Sequence, residues 1–406
     1  MALPPWLPPL AAVVLMQIVA AFQSQSIWVL APILTRAAGV APERVGELAG
    51  LISFGSAWFF LSGNPVLARL GSLRALQAGA ILASASLMIF FFPWWPAMML
   101  AALILGIGYG PTTPAGSDVL ARYTPERHKS AMFSIKQAGA PLGGALAGLS
   151  LPIVTTLVGW HAALILTAIL GIVAIAIVQG VRRELDADRD QSVALSLRAL
   201  LSPANLTEPF RTVWQTPSLP LLTLASFCLA AIQGNLFSFA VTYLTDEIGL
   251  NLVQAGAASS AMLISGMAGR ILMGWLADRL GSAIAVLRVL AFTAAGATFM
   301  MSTIDRSWSY GAVAALFGAT GILATTWNGV FLAEVARIAP KGKIGVATAG
   351  SAFITFLAYS FGPMIFAKAV STVGAYGPVY AGISALGLVA AVALLIAGRL
   401  RKTSGR

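Results

Sequence analysis

Lys136 and Arg270 are the two residues whose type and place in this chain most demand a chemical role. Each lies inside a long apolar run, Lys136 in Ser134-Ile135-Lys136-Gln137-Ala138-Gly139 and Arg270 in Ser265-Gly266-Met267-Ala268-Gly269-Arg270. Counted from Arg127 at about 1.5 Å per helical residue, Lys136 sits roughly 13 Å into its run. Arg270 is at a similar depth counted back from Arg279. In a bilayer, a cation at that depth costs at least about 2.5 kcal/mol and marks a functional site by default. Two plainer readings compete: snorkelling of the long side chains to the surface, or an internal pair of Lys136 with Asp118. A bound anion is the third. Arg presents a fork of donors that matches a planar carboxylate.

The elements that would hold these cations follow from composition. Charged residues are 10% of the 406 and hydrophobic residues 58%, with a mean hydropathy of +0.86. A soluble globule of this length cannot hide that much apolar surface, so lipid is the solvent for most of the chain. Apolar runs fall at about 10–34, 43–67, 73–92, 96–121, 129–157, 160–180, 218–244, 252–277, 284–303, 308–336, 343–370 and 376–398, each near the roughly 20 residues needed to span a bilayer. The first is too long, and too polar at Gln23 and Gln25, to be a cleaved signal peptide. With the N-terminus placed inside, only Arg36, Arg44, Arg306 and Lys368 fall at outer loops, while Arg69, Arg74, Arg122, Arg127, Lys129, Arg182, Arg183, Arg279, Lys341, Lys343, Arg401 and Lys402 fall inside. The net charge of +11 is therefore a topology signal with both termini cytoplasmic, and nucleic acid is excluded as a partner. Trp94, Trp95, Trp160 and Trp308 suit an outer aromatic belt.

Enzyme chemistry finds no footing. Gly106-x-Gly108-x-Gly110 lies within a span, which rules out a dinucleotide loop. His128 and His161 sit near run ends, and Cys228 is the lone cysteine, so no metal, cofactor or internal disulfide is expected.

The chain reads as a duplication. Gly274-Trp275-Leu276-Ala277-Asp278-Arg279-Leu280-Gly281-Ser282 echoes Asn64-Pro65-Val66-Leu67-Ala68-Arg69-Leu70-Gly71-Ser72. The offset that carries Gly71 to Gly281 carries Gln23 to Gln233 and Gln25 to Asn235. Val119-Leu120-Ala121-Arg122-Tyr123-Thr124-Pro125 is likewise echoed by Glu334-Val335-Ala336-Arg337-Ile338-Ala339-Pro340. The expected fold is an all-α integral membrane protein of twelve transmembrane helices in two pseudo-symmetric six-helix bundles. The bundles are residues 1–180 and 218–406, joined by a cytoplasmic linker over 181–217. Val193, Leu197, Leu200 and Leu201 recur there at helical spacing, as in a helix lying on the membrane surface; a plain linker is the alternative. Pro111, Pro114, Pro141 and Pro363 should kink their spans, and Gln233-Gly234-Asn235 should interrupt span 7.

On these residues the whole chain resembles the major facilitator superfamily. Its signature, Gly-x-x-x-Asp-Arg-x-Gly after spans 2 and 8, is complete at Gly274, Asp278, Arg279 and Gly281. In the first copy Arg69 and Gly71 are kept, but Asn64 and Ala68 replace the Gly and the Asp. The resemblance implies an inner gate from Arg69, Asp278 and Arg279, with Asp118 and Arg122 ending span 4 and Glu334 and Arg337 ending span 10. It places spans 5 and 8 facing each other between the halves, so that Lys136 and Arg270 flank one cavity. It has spans 1, 4, 7 and 10 line that cavity, which offers Gln23, Gln25, Tyr109, Gln233, Asn235, Trp327 and Asn328 as substrate ligands. Small residues Gly139, Gly143, Gly144 and Gly148 are expected at the interface of the halves.

Arg270-x-x-x-Gly274-x-x-Ala277 also resembles span 8 of monocarboxylate transporters and oxalate–formate exchangers, where the matching Arg binds the substrate carboxylate. Gly266 stands where the proton-coupled members place an acid. The resemblance thus implies a secondary transporter of a small organic anion in a bacterial inner membrane, monomeric, with a coupling ion or counter-anion. The alternative is proton-coupled efflux of a larger amphipathic drug or metabolite.

Overall fold

The computed structural model describes residues 4–123, 129–193, 207, 210–340 and 344–404. Among them the chain is helical, with no strand. The helices are α1 (Leu7–Ala37), α2 (Val45–Ser62), α3 (Asn64–Leu70), α4 (Ser72–Ile89), α5 (Trp95–Tyr109), α6 (Thr112–Tyr123), α7 (Lys129–Val158), α8 (Trp160–Val178), α9 (Arg182–Leu185), α10 (Leu219–Thr242), α11 (Leu252–Leu280), α12 (Ala283–Met301), α13 (Tyr310–Ala324), α14 (Trp327–Ile338), α15 (Ile344–Val373) and α16 (Tyr376–Ser404). Eleven helical segments among the described residues are long and apolar enough to cross a membrane. The run expected at 43–67 is not among them. It divides into α2 and α3 at Gly63, because Pro65 lacks the N–H that would continue the ladder. The surface helix expected around Val193–Leu201 lies, past Val193, outside the described residues.

Two compact units form. One comprises Met1–Ala41 and Leu51–Ser202, the other Pro42–Gly50 and Pro203–Arg406. The start of α2 joins the second unit because Gly46 and Gly50 present no side chain and lie directly against the Pro363 and Ser360 carbonyls of α15.

Spans 4 and 10 are each broken in two. Between α5 and α6 the break falls at Gly110-Pro111, where proline removes a donor. Between α13 and α14 it falls at Thr325-Thr326 without any proline. There the Thr325 hydroxyl donates to the Gly321 carbonyl at 2.7 Å and the Thr326 hydroxyl to the Ile322 carbonyl at 3.0 Å. Such side-chain bonds compete with the helix ladder and bend it, and here two in succession coincide with the break. Span 7 behaves differently from the sequence expectation: α10 runs unbroken through Gln233-Gly234-Asn235. A single glycine costs a buried helix only about 1 kcal/mol, and packing of the nearly fully buried α10 outweighs it. Pro141 and Pro363 likewise stay inside continuous helices.

Each unit repeats one close contact beside its break. Gly106 of α5 lies against the Ile52 carbonyl of α2, and Gly321 of α13 lies against the Met262 carbonyl of α11. Hydroxyls seal both crossings: Ser56 donates to the Gly106 carbonyl at 3.0 Å, and Ser265 to the Gly318 carbonyl at 2.6 Å. Glycine and serine at such crossings let backbones approach without a hydrophobic drive between helices.

The glycine row of α7 packs within the first unit. Gly139 and Gly143 rest on Gln17 and Ile18 of α1, and Gly144 on Gln25. Of the tryptophans expected at the aromatic belt, Trp94 is exposed but Trp95 is buried at the first turn of α5.

Gln23, fully buried, ties three helices. Its Nε2 donates to the Ser84 hydroxyl of α4 at 2.9 Å, which donates on to the Ala168 carbonyl of α8 at 3.1 Å. The space for this knot is Gly171, where a methyl group would overlap both the Gln23 amide and the Ser84 hydroxyl. Gly171→Ala is expected to destabilise the purified protein by about 1–3 kcal/mol, as overpacking does. Gly296→Ala, with open space at its Cβ, should be neutral or up to about 1 kcal/mol stabilising. Thermal unfolding in detergent compares the two.

Candidate functional site

In each unit, polar side chains gather at the break of its fourth span. In the first unit the centre is Lys136. Its side chain is 1% exposed, and its ammonium donates to the Thr113 carbonyl, in the first turn of α6, at 3.3 Å. Gly116, one turn on, makes room: a methyl there would stand 2.8 Å from Lys136 Cε. Among the described residues no carboxylate reaches this ammonium. Asp118, the internal partner considered from sequence, is engaged elsewhere: it accepts from Ser72 at 2.5 Å and from Arg122 at 2.7 Å. On the other side of the break, the Tyr109 hydroxyl accepts from Gln17 Nε2 at 3.2 Å. Gln17 was not legible as a site residue in the sequence; its signal is burial at 3% within an apolar span. Gln25 is half-buried against Gly144, and Gln23 is held in the knot of α1, α4 and α8.

In the second unit the centre is Arg270, half-buried on α11. Its Nε donates to the Thr325 carbonyl at the break, at 3.3 Å. Gly266 and Gly269, on the turn before it, lie against the side chains of Thr325 and Thr326, so α11 can approach the broken strand of chain closely. Any larger residue at 266, an acid included, would collide with Thr325. Across the break, Trp327 is buried with its indole N–H unpartnered among the described residues, its ring edge-on to Phe331. Asn328 donates to Gln233 Oε1 at 3.4 Å, and the buried Asn235 keeps an unpartnered carbonyl oxygen by the same criterion. Each unit thus offers a cation, an aromatic residue and amides around a helix break. Such a set can hold an anion by charge-assisted hydrogen bonds and orient it by amide contacts.

The expected gate residues lie at the basic helix ends. Arg122 closes α6 by pairing with Asp118 at 2.7 Å and Asp188 at 2.6 Å, and it donates to the Leu185 carbonyl at 3.1 Å. Arg337 pairs with the fully buried Glu334 of α14, Nε to Oε2 at 2.8 Å. Arg279 lies over the Trp275 ring at 5.1 Å, one turn back on α11. Asp278 falls in α11 with its side chain outside the described set.

The first unit fills the place of its missing acid by another route. Gly71 takes φ +86°, a left-handed backbone open to glycine, and leads straight into α4. Asp186, just past α9, lies against it and accepts from the Leu73 and Arg74 amides at 2.8 and 3.1 Å, satisfying free donors of the α4 N-terminus. Burial pushes the Asp186 carboxyl up from its usual range, while those two amides, Arg182 and Arg189 pull it back. Arg69 donates to the Val193 carbonyl at 2.8 Å, and the Asp190 amide to the Ala68 carbonyl at 2.8 Å, so the segment after span 6 is strapped over this loop. Sequence reasoning missed Asp186, because one acid among several in a polar stretch carries no spacing signal. Gly71→Ala is expected to cost more than about 1 kcal/mol from backbone strain and overlap with Asp186. Asp186→Ala should cost about 0.5–2 kcal/mol, the worth of a helix cap. Both are read as shifts in thermal unfolding.

Comparison with known proteins agrees with this architecture. The Major Facilitator Superfamily profile matches residues 13–363. The chain is 26% identical over 352 residues to an uncharacterized MFS-type transporter of Mycobacterium tuberculosis, covering 84% of this chain and 74% of that one. It is 26% identical over 276 residues to the 4-hydroxybenzoate transporter PcaK of Pseudomonas aeruginosa, covering 62% of this chain and 61% of the relative. Among solved structures, a bacterial homolog of the human lysosomal transporter Spinster superposes with a TM-score of 0.74 at 15% identity, over 98% of both chains, a likeness of fold alone.

Proposed function

The chain belongs to the major facilitator superfamily, a multi-pass membrane transporter and not an enzyme, and from that premise we propose that it carries a small organic anion, a carboxylate, across a bacterial inner membrane. Alternating access of the superfamily type is the proposed mode. The observation that carries the substrate class is the Lys136 ammonium: buried in a membrane-spanning helix, held by one backbone carbonyl, with no carboxylate near it among the described residues. A buried cation without a counter-charge is costly, and a carbonyl dipole offsets only part of that cost. An anionic substrate completes the set.

Arg270 is proposed as the second cation, its planar guanidinium suited to a carboxylate in the way that the resemblance to monocarboxylate transporters and oxalate–formate exchangers implies. PcaK, whose named substrate is a hydroxylated benzoate, is a relative in keeping with this class. Gln25, Tyr109, Gln233, Asn235, Trp327 and Asn328 are proposed to orient the rest of the substrate. Gln23 is the least suited of the expected ligands, since its amide already serves the knot with Ser84. Asp118 with Arg122 and Glu334 with Arg337 are proposed to steady the helix ends that open and close, together with Arg69, Asp278 and Arg279.

Counterflow in proteoliposomes against a panel of mono- and dicarboxylates, inorganic anions and amphipathic cations, with and without a pH gradient, tests the class. Carboxylate counterflow is expected; cation counterflow alone would overturn the proposal. Arg270→Lys keeps the charge and loses the fork. It should raise KM for a carboxylate about tenfold or more, since a hydrogen bond to a charged group is worth about 1.5–3 kcal/mol. Lys136→Gln should cost a dianion more than a monoanion. Equal KM values in both variants and the parent would remove the two cations from the site.

A further inference from the structure

We propose that the turn after α8 is a binding site for the phosphate headgroup of an anionic phospholipid. A cavity of about 330 Å³ opens there, lined by Arg182, Arg183, Asp186, Ala187, Arg189 and Gln191. Three arginines therefore line one space with a single carboxylate. That carboxylate is already committed, because Asp186 accepts from the Leu73 and Arg74 amides. Two neighbouring acids are committed too, Asp188 to Arg122 at 2.6 Å and Asp190 to the Ser192 amide and hydroxyl at 2.9 and 2.6 Å, and Glu184 is not among the residues lining the cavity. Arg182 carries a buried Nε–H with no hydrogen-bond partner among the described residues. The pocket thus has positive charge and an unspent donor, which is what a phosphate group requires.

A second observation selects a lipid over a soluble phosphate. Ile165, Ile169, Val173 and Ile177 are exposed and recur four residues apart along α8, with the exposed Ile172 beside them. In a membrane-spanning helix they form a lipid-facing stripe. That stripe runs toward Gly180, which has open space at its Cβ, and then to Arg183 and the cavity. The candidate span itself covers Trp160–Leu185, so the arginines stand at its polar end, where headgroups lie. Acyl chains along the isoleucine stripe and a phosphate among the arginines satisfy both features with one ligand. The same pocket borders the strap that Asp186 makes over the Gly71 turn, so an occupied site would also screen Arg182 and Arg189 from Asp186.

Native mass spectrometry of the full chain tests this, titrated with dioleoylphosphatidylglycerol, with dioleoylphosphatidylcholine, and with inorganic phosphate. Each basic residue near an anionic headgroup contributes about a fivefold gain in binding. Arg182→Gln/Arg189→Gln should therefore bind phosphatidylglycerol about 25-fold more weakly than the parent, with phosphatidylcholine binding unchanged. Arg211→Gln/Arg399→Gln, which removes the same charge from exposed positions elsewhere, should bind phosphatidylglycerol like the parent. The parent should also keep one phosphatidylglycerol through delipidation that strips phosphatidylcholine. Equal losses in the two double variants, no retained lipid on the parent, or inorganic phosphate binding as tightly as phosphatidylglycerol would each overturn the proposal.

Discussion

A helix broken inside a membrane leaves backbone polar groups that lipid cannot satisfy. That constraint organises both units. In each, the fourth span is split, at Gly110-Pro111 in one and at Thr325-Thr326 in the other. In each, a cation from a neighbouring helix donates to a carbonyl at or just past the split, Lys136 to Thr113 and Arg270 to Thr325. The glycine contacts of Gly106 with Ile52 and of Gly321 with Met262 hold the flanking helices close enough for the breaks to be shielded by protein. At the second break the support is mutual, since Thr325 ends α13 and its carbonyl has no place in the helix ladder, whereas Thr113 lies in the first turn of α6 and its carbonyl only offsets part of the desolvation of Lys136. A dipole only partly neutralises a full charge, which is why an anion is proposed as the partner of Lys136.

The two units solve the same loop differently. The second keeps the complete Gly-x-x-x-Asp-Arg-x-Gly sequence, while the first has Ala68 in place of the acid. There Asp186, brought in from beyond span 6, caps α4 over Gly71, and the Arg122 cluster anchors the same segment from α6. The lost carboxylate has a structural substitute with a different geometry. It serves backbone amides, so the first unit's loop is a fixed strap, where the second retains a charged pair of residues at its helix end.

Much of this was legible in the residues. Apolar run lengths gave the helices, because an unbroken apolar run of about 20 residues satisfies its own backbone in lipid as a helix, whereas barrel strands are about half as long. The deep cations were visible because a charge in such a run has no ordinary explanation. Pro111 marked the first break. The second break was not visible, since threonine hydroxyls that compete with the ladder look like any other threonines in a helix. Gln233-Gly234-Asn235 looked like a break and was not one, because burial of α10 outweighs a glycine. Gln23 and Gln233 sit at equivalent sequence positions, yet one is knotted to Ser84 and the other meets Asn328. Duplication preserves the helix and not the partner on its polar face. Glycine spacing in α7 announced close packing but not its partner, which is α1.

The central claim is that a positive charge at position 136, and not merely the bulk of a lysine, is what transport requires. Its most direct test is chemical rescue. Lys136→Cys is placed in a Cys228→Ser background, which leaves one cysteine in the chain. It is then modified with aminoethyl methanethiosulfonate, which restores an ammonium at nearly the original reach, or with methyl methanethiosulfonate, which does not. Extents of modification are confirmed by intact mass, and carboxylate counterflow is measured in proteoliposomes. The account predicts that the cysteine variant loses counterflow, that the aminoethyl adduct regains it and that the methyl adduct does not. Full counterflow in the unmodified cysteine variant, or equal recovery with both reagents, would contradict it.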